Sequence, residues 1–373
     1  VLGLLAAAAP LAAQVAAPAR TTAAIPDRLS DAEFWRLSTE LSEPGGWFRS
    51  ENFVSNETRW QHVIAPLERV VPTGGVYLGV GPEQNFTYLV AFRPRIAFIV
   101  DIRRQNLVQH LLYKAAIELS PDRATFLARI FGRPRPPGLD STAIADDLID
   151  AFERVAPDSA YFARTLVEMR RHLVETRKLG LSADDLAMLA HVDSAFFLAG
   201  PALNYSFGTF GGGMGRMGRM MPTFGELMRE TDAAGTNRGF LGSEANYRAL
   251  REMQLRNLVV PVTGDFAGPH ALRAVGRWIA DRGAVVNLFY LSNVEQYLFQ
   301  SDAWSRFYAT VGTLPLDSTS HFIRSVTNNR WANTPPTNAM MAQLTSPILE
   351  VVKAYDAGRI TGYYDVIALS RWP

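Results

Sequence analysis

Cysteine is absent from the 373 residues, which excludes disulfides, thiolate zinc sites, iron–sulfur clusters and thiol nucleophiles together. Histidine is scarce. His62, His110, His172, His191, His270 and His321 are scattered, with no pair at the short spacing of a helical metal site, so no metal centre is expected. Charge of one sign is lacking too: 37 Lys+Arg against 36 Asp+Glu leave a net charge of +1. Without a broad field, nucleic acid is not an expected partner and a charged ligand must meet a local patch. Only Lys114, Lys178 and Lys353 are lysines; the bias to arginine reads as codon usage rather than as a set of anion sites. Beyond the N-terminus no stretch reaches the roughly 18–20 apolar residues that a membrane span requires, so no stable span is expected in the mature chain.

What is present is a large apolar fraction, 48% of the chain, enough for one big domain or two modest ones. Residues 1–19 show the apolar and cleavage regions of a secretory signal without its basic n-region. Export to the periplasm is therefore expected, with a membrane anchor or a misassigned start in the cytoplasm as alternatives. Residues 20–72 read as an N-terminal helical flap. Ser30-Asp31-Ala32-Glu33 has capping-box spacing ahead of Phe34, Leu37 and Leu41, and a second helical stretch follows Asn56.

Residues 73–119 read as the first part of an α/β core, with a strand at Val76–Gly79, a short helix, a strand at Ile96–Asp101 and a helix through Leu107, Leu111 and Ala115. Residues 120–257 read as a helical insertion capping a crevice. Within it the Gly/Met-rich run 210–221 is either a lid on an apolar ligand or an ordinary exposed loop. Residues 258–373 read as the second part of the core, with strands at 258–263, 284–291 and 321–326, a helix over 341–357 and a last strand over 364–369. The expected fold class is thus Rossmann-like α/β, a mostly parallel doubly wound sheet with a large helical insertion, which the resemblance given below narrows to the methyltransferase type.

The chemistry concentrates where such strands end. Gly79 and Gly81 follow the first strand, and Asp101 closes the second, 22 residues beyond Gly79. Glycines there let the backbone approach a nucleotide, and a carboxylate at that distance can accept ribose hydroxyls. Glu83, Gln84 and Asn85 follow the glycines. The third strand ends at Asp265, and the fourth runs through Tyr290 to Ser292, Asn293 and Glu295. A dinucleotide would put pyrophosphate on this turn, where Glu83 repels it and Gln84 replaces the third glycine. S-adenosylmethionine, with an ammonium and a sulfonium, suits a carboxylate there. On that reading Asp101 holds the ribose, Ile102 lies against adenine and Asp265 accepts from its amine. Helix capping is the alternative role for Asp101, Asp265, Ser292 and Asn293, and Glu295 is otherwise a solvated first-turn acid.

The strings Phe53–Glu57, Tyr77–Tyr88, Ala97–Asn106 and Tyr290–Leu298 resemble a family of uncharacterised bacterial proteins whose core is similar to class I S-adenosylmethionine-dependent methyltransferases. The resemblance runs from about Asn52 onward. Tyr77 stands where the general methyltransferase pattern has an acid, and Glu83 where it has its last glycine. The expected activity is methyl transfer to a small molecule, with Glu295 or His270 as base and Tyr290, Ser292 and Asn293 orienting the substrate. The alternative is an exported, non-catalytic binding protein that keeps the fold; an NAD-type oxidoreductase is a third reading. The oligomeric state is open.

Overall fold

A computed structural model of the protein describes residues 24–207, 221–327 and 341–373. The leader 1–19 and nearly all of the Gly/Met run 210–221 lie outside the described residues. The sheet is built first from two wholly buried strands, β1 (Val76–Gly79) and β2 (Ile96–Asp101). Their uninterrupted apolar runs suit parallel strands covered on both faces. β3 (Val259–Thr263), β4 (Val286–Ser292), β5 (His321–Thr327) and β6 (Met341–Pro347) complete a six-stranded sheet in the order β3-β2-β1-β4-β5-β6. All neighbours are parallel except β5 and β6. The fold is therefore α/β with a mostly parallel sheet, compatible with a Rossmann-like arrangement. The chain winds outward from β1 through β2 to β3, then returns to β4 on the other side of β1. That reversal opens a crevice beyond the carboxyl ends of β1 and β4.

Helix α1 (Asp31–Glu40) starts with the expected capping box: Ser30 Oγ accepts from the Glu33 N–H at 3.2 Å and Glu33 Oε2 accepts from the Ser30 N–H at 2.9 Å. The chain then crosses the ends of β3 and β2 without regular structure, the Glu43 N–H donating to Thr263 O at 2.9 Å and the Gly46 N–H to Ile102 O at 2.7 Å. A Cβ on Gly46 would lie 2.6 Å from the Ile102 side chain, so only glycine lets the flap pass so close to β2. A short helix, α2 (Ile64–Leu67), leads into β1; α3 (Gln84–Phe92) and α4 (Arg104–Glu118) follow β1 and β2. The described part of the stretch between α4 and β3 carries α5 (Arg123–Ile130), α6 (Ala145–Glu153), α7 (Ser159–Arg171), α8 (Ala183–Ala199), α9 (Phe224–Arg229) and α10 (Glu244–Leu255). α8 packs on α4, and α10 on α3 and α4. No helix of the described residues is long and apolar enough to cross a membrane.

Two late elements differ from expectation. Residues 341–347 form β6 rather than the first turns of a helix. Ala342 and Leu344 join Val326 and Ile367 in a small apolar cluster while Gln343 faces the opposite side of the strand, a period of two that a helical reading overlooks. Residues 364–369 are the body of α15 (Tyr363–Ala368), not a strand; the Asp365 carboxylate accepts from the N–H groups of Thr361 and Gly362 and starts the helix. Between them runs α14 (Ile348–Asp356), and after β3 and β4 come α11 (Ala271–Ala280), α12 (Val294–Gln300) and α13 (Trp304–Val311).

The antiparallel edge is fastened to the rest by one buried ion pair. Arg324 on β5, wholly buried, donates from Nε to Glu295 Oε2 at 2.6 Å and from Nη1 to Ser346 Oγ at 2.7 Å and Ser370 Oγ at 2.6 Å, while the Tyr308 hydroxyl donates to Glu295 Oε1 at 2.6 Å. The arrangement joins β5, β6, α12, α13 and the C-terminus. Truncating one partner strands the other charge in the interior, so Glu295→Ala is expected to lower the unfolding free energy by about 3–5 kcal/mol. Urea titration checks this, and a loss below about 1 kcal/mol would show that the pair does not fasten the edge.

Candidate functional site

A cavity of about 400 Å³ lies at the reversal between β1 and β4, within the size range of small-molecule sites. Its walls come from four strand ends: Val80, Gly81 and Gln84 after β1; Val100, Asp101, Ile102 and Arg103 at β2; Gly264, Asp265 and Phe266 after β3; Ser292, Asn293 and Val294 after β4. The flap adds Trp47, Phe48, Asn52, Ser55 and Asn56, and α12 adds Tyr297 and Leu298. From the described part of the helical insertion, Tyr205 reaches the cavity.

The glycine turn is shaped from behind by Asn85. Its Nδ2 donates to the carbonyls of Val80 (2.9 Å), Gly81 (3.1 Å) and Pro82 (2.7 Å), and its Oδ1 accepts from the Tyr77 hydroxyl at 2.8 Å. Three consecutive carbonyls are thereby drawn inward. Gly81 has φ of 76°, so the backbone turns left-handed there, and a Cβ would make only van der Waals contact, with Gln84 Nε2 at 3.8 Å and Asn52 Nδ2 at 3.9 Å. His110 Nε2 sits 2.9 Å from Gly81 O, and burial lowers this imidazole to about 4, keeping it neutral. As a neutral ring it donates to that carbonyl.

The β2 end is already charged and paired. Asp101 Oδ1 accepts from the Arg103 N–H (2.9 Å) and Nε (3.0 Å), and Oδ2 from Nη2 (2.9 Å). Three of about four lone-pair sites are filled, leaving room for one further donor. After β3, Asp265 Oδ1 accepts from the Ala267 N–H at 2.9 Å. The capping considered for Asp265 falls instead to Glu43 of the flap, whose carboxylate accepts from the N–H groups of Asp265, His270 and Ala271 at 2.9–3.2 Å.

The sequence-derived residues thus divide. Gly81, Gln84, Asp101, Ile102, Asp265, Ser292 and Asn293 line the cavity. Gly79, Asn85 and Tyr290 lie behind it as supports; a Cβ on Gly79 would fall 2.1 Å from Asn85 Oδ1. Glu83 is wholly buried, accepting from the Ser55 N–H at 3.0 Å, and desolvation raises its carboxyl to about 7. Glu295 is held by Arg324 and Tyr308, and His270 Nε2 contacts Glu40 O at 2.8 Å; neither lines the cavity.

Sequence reasoning placed Arg103 at the β2 end but missed the aromatic walls and, above all, Glu57. Glu57 is wholly buried beneath Ser292: its carboxylate accepts from the Ser292 hydroxyl, from the Tyr290 hydroxyl at 2.6 Å and from Gln343 Nε2 at 3.1 Å, and burial pushes its pKa up. Its one signal is a run of small polar residues, Ser55-Asn56-Glu57, with no amphipathic period to bury them.

Among known proteins, a family model described as a domain of unknown function (DUF7790) matches residues 52–177 and 219–355. The chain belongs to that family. No curated protein matches it.

Glu83 gives the site a pH signature. An acid raised from 4.5 to about 7 stabilises the fold fully below its unfolded value, and the contribution is lost as pH rises through about 7. Glu83→Gln stays neutral throughout. The stability of the variant relative to wild type is therefore expected to improve between pH 4.5 and 8 in parallel urea titrations. An equal difference at pH 5 and pH 8 would place an ionised Glu83 in the folded protein.

Proposed function

We propose that this member of the DUF7790 family is a methyltransferase-like protein that binds S-adenosylmethionine in the cavity between β1 and β4 and acts on a small molecule. The observation that carries the reading is a buried acceptor without a protein partner on the cavity wall, Gln84 Oε1, in company with two carboxylates at neighbouring strand ends. An acceptor there suits an ammonium and opposes a pyrophosphate, which takes over the part first given to Glu83. The other residues fit the cofactor as well. Asp101 has capacity for one ribose hydroxyl, Val100, Ile102 and Phe266 offer an apolar slot to adenine, and the Asp265 Oδ2 can accept from its amine. When bound, the cofactor supplies an electrophilic methyl group; the protein's share is to align an acceptor and exclude water, here with Asn293 and the aromatic rim of Trp47, Phe48, Tyr205 and Tyr297.

The second reading, a non-catalytic small-molecule binder, is favoured by one fact. Neither Glu295 nor His270 lines the cavity, so neither is placed to take a proton from a ligand there. It also suits an exported protein, which meets no ready supply of the cofactor.

Calorimetric titration of the full chain with S-adenosylmethionine, S-adenosylhomocysteine and NAD separates the readings. Binding of the first two is expected, weakened at least tenfold in Asp101→Ala and in Asp265→Asn, a loss of about 1.4 kcal/mol or more. Silence from all three would overturn the cofactor reading in favour of the binder.

A further inference from the structure

The cofactor reading leaves unused a strained backbone position in the cavity wall. Ser292 ends β4 with φ of 51°, a left-handed conformation that disfavours a residue with a side chain, and α12 begins two residues later. A serine on a strained turn between a central parallel strand and a helix has its hydroxyl presented at the sheet's carboxyl edge, and Ser292 does line the cavity there. The same hydroxyl donates to Glu57. Glu57 is fixed in place by Tyr290 and Gln343, and Gln343 Oε1 in turn accepts from the Ser325 hydroxyl at 2.7 Å. Of the three donors to that carboxylate, Ser292 alone lines the cavity.

We propose that Ser292 is a nucleophile activated by Glu57, and that the cavity accepts esters or related acyl compounds carrying an apolar or aromatic group. The Ser292 O–H bond breaks as its proton passes to Glu57, and Oγ bonds to the carbonyl carbon. The leaving alcohol departs with the proton returned by Glu57, and solvent water releases the acid by the same route, regenerating the serine. The carboxylate acts directly; no imidazole stands between the two, since no histidine is among the described residues lining the cavity. Phe48, Tyr205, Tyr297 and Leu298 furnish the apolar surface for the acyl group. Ser292 would touch the reacting carbon, whereas Glu57 acts through it as a positioning and proton-accepting residue.

Burial pushes the Glu57 carboxyl above the usual carboxylate range, which makes it a better proton acceptor once ionised. The titratable groups around it are Tyr77, Tyr88, Tyr290 and Tyr363, all raised by burial, and the carboxyl of Glu83. Glu57 and Glu83 are therefore the groups whose ionisation sets the pH dependence of the serine.

The test is labelling of the full chain with an alkyl fluorophosphonate, followed by intact-mass and peptide mass spectrometry, with p-nitrophenyl acetate hydrolysis in parallel. A single phosphonyl adduct on Ser292 is expected, with fluoride as leaving group, and the labelling rate should rise with pH. Ser292→Gly removes the hydroxyl while relieving the left-handed strain, and its fold is checked by urea titration beside the wild type. Glu57→Gln is expected to slow labelling at least a hundredfold and to change the pH profile, whereas Glu83→Gln, which removes the second ionisation, is expected to shift the profile while the adduct stays on Ser292. A folded wild-type protein without an adduct on Ser292, or a Glu57→Gln protein labelled at the wild-type rate with the wild-type pH profile, would overturn the proposal. The cofactor titration is independent of either result.

Discussion

One side-chain amide determines the form of the cavity floor. Asn85 collects the carbonyls of Val80, Gly81 and Pro82 on its nitrogen and is itself fixed by the Tyr77 hydroxyl. Without that amide the Val80 and Pro82 carbonyls would lose its donor, Gly81 O alone keeping His110, and each unpaired buried group costs on the order of 1–3 kcal/mol. The turn would then have reason to rearrange. Gly79 is required because any Cβ would collide with Asn85, and Gly81 because the turn needs a positive φ. The glycine spacing that reads as a nucleotide signature is, at the atomic level, the accommodation of this one asparagine.

Around that floor the chain uses carboxyls in distinct ways. Glu295 pairs with Arg324 and ties the antiparallel edge to α12. Glu83 is desolvated and poised near neutrality, holding the flap through Ser55. Glu43 caps α11 from the flap, keeping the ends of β3 and α11 together. Glu57 lies under Ser292. Three of these four acids belong to or contact the N-terminal flap, so the flap is part of the cavity's construction as well as its roof.

The sheet was legible in the sequence because parallel strands buried on both faces leave unbroken apolar runs; Val76–Gly79 and Ile96–Asp101 emerge with their ends intact. β6 was not, because a seven-residue alternation that runs straight into an apolar helix mimics a longer helix, and α15 was not, because its start rests on the Thr361–Asp365 hydrogen bonds rather than on periodicity. In the site, strand ends could be read from position alone, which is how Asp101, Asp265, Ser292 and Asn293 were found. The direction in which a side chain turns could not. Glu83 faces inward and Gln84 outward although adjacent, and Arg103 folds back on Asp101 two residues away. Glu57 is distant from every strand end in sequence and joins the site only through tertiary contact.

The account stands on the cavity between β1 and β4 being the place where an adenosine-bearing ligand binds. Hydrogen exchange of backbone amides, followed with and without S-adenosylhomocysteine, reads that directly. Slower exchange is predicted at 80–85, 100–104, 264–267 and 292–295, the four strand ends that enclose the cavity. Protection confined to another surface, with these four segments unchanged, would contradict it.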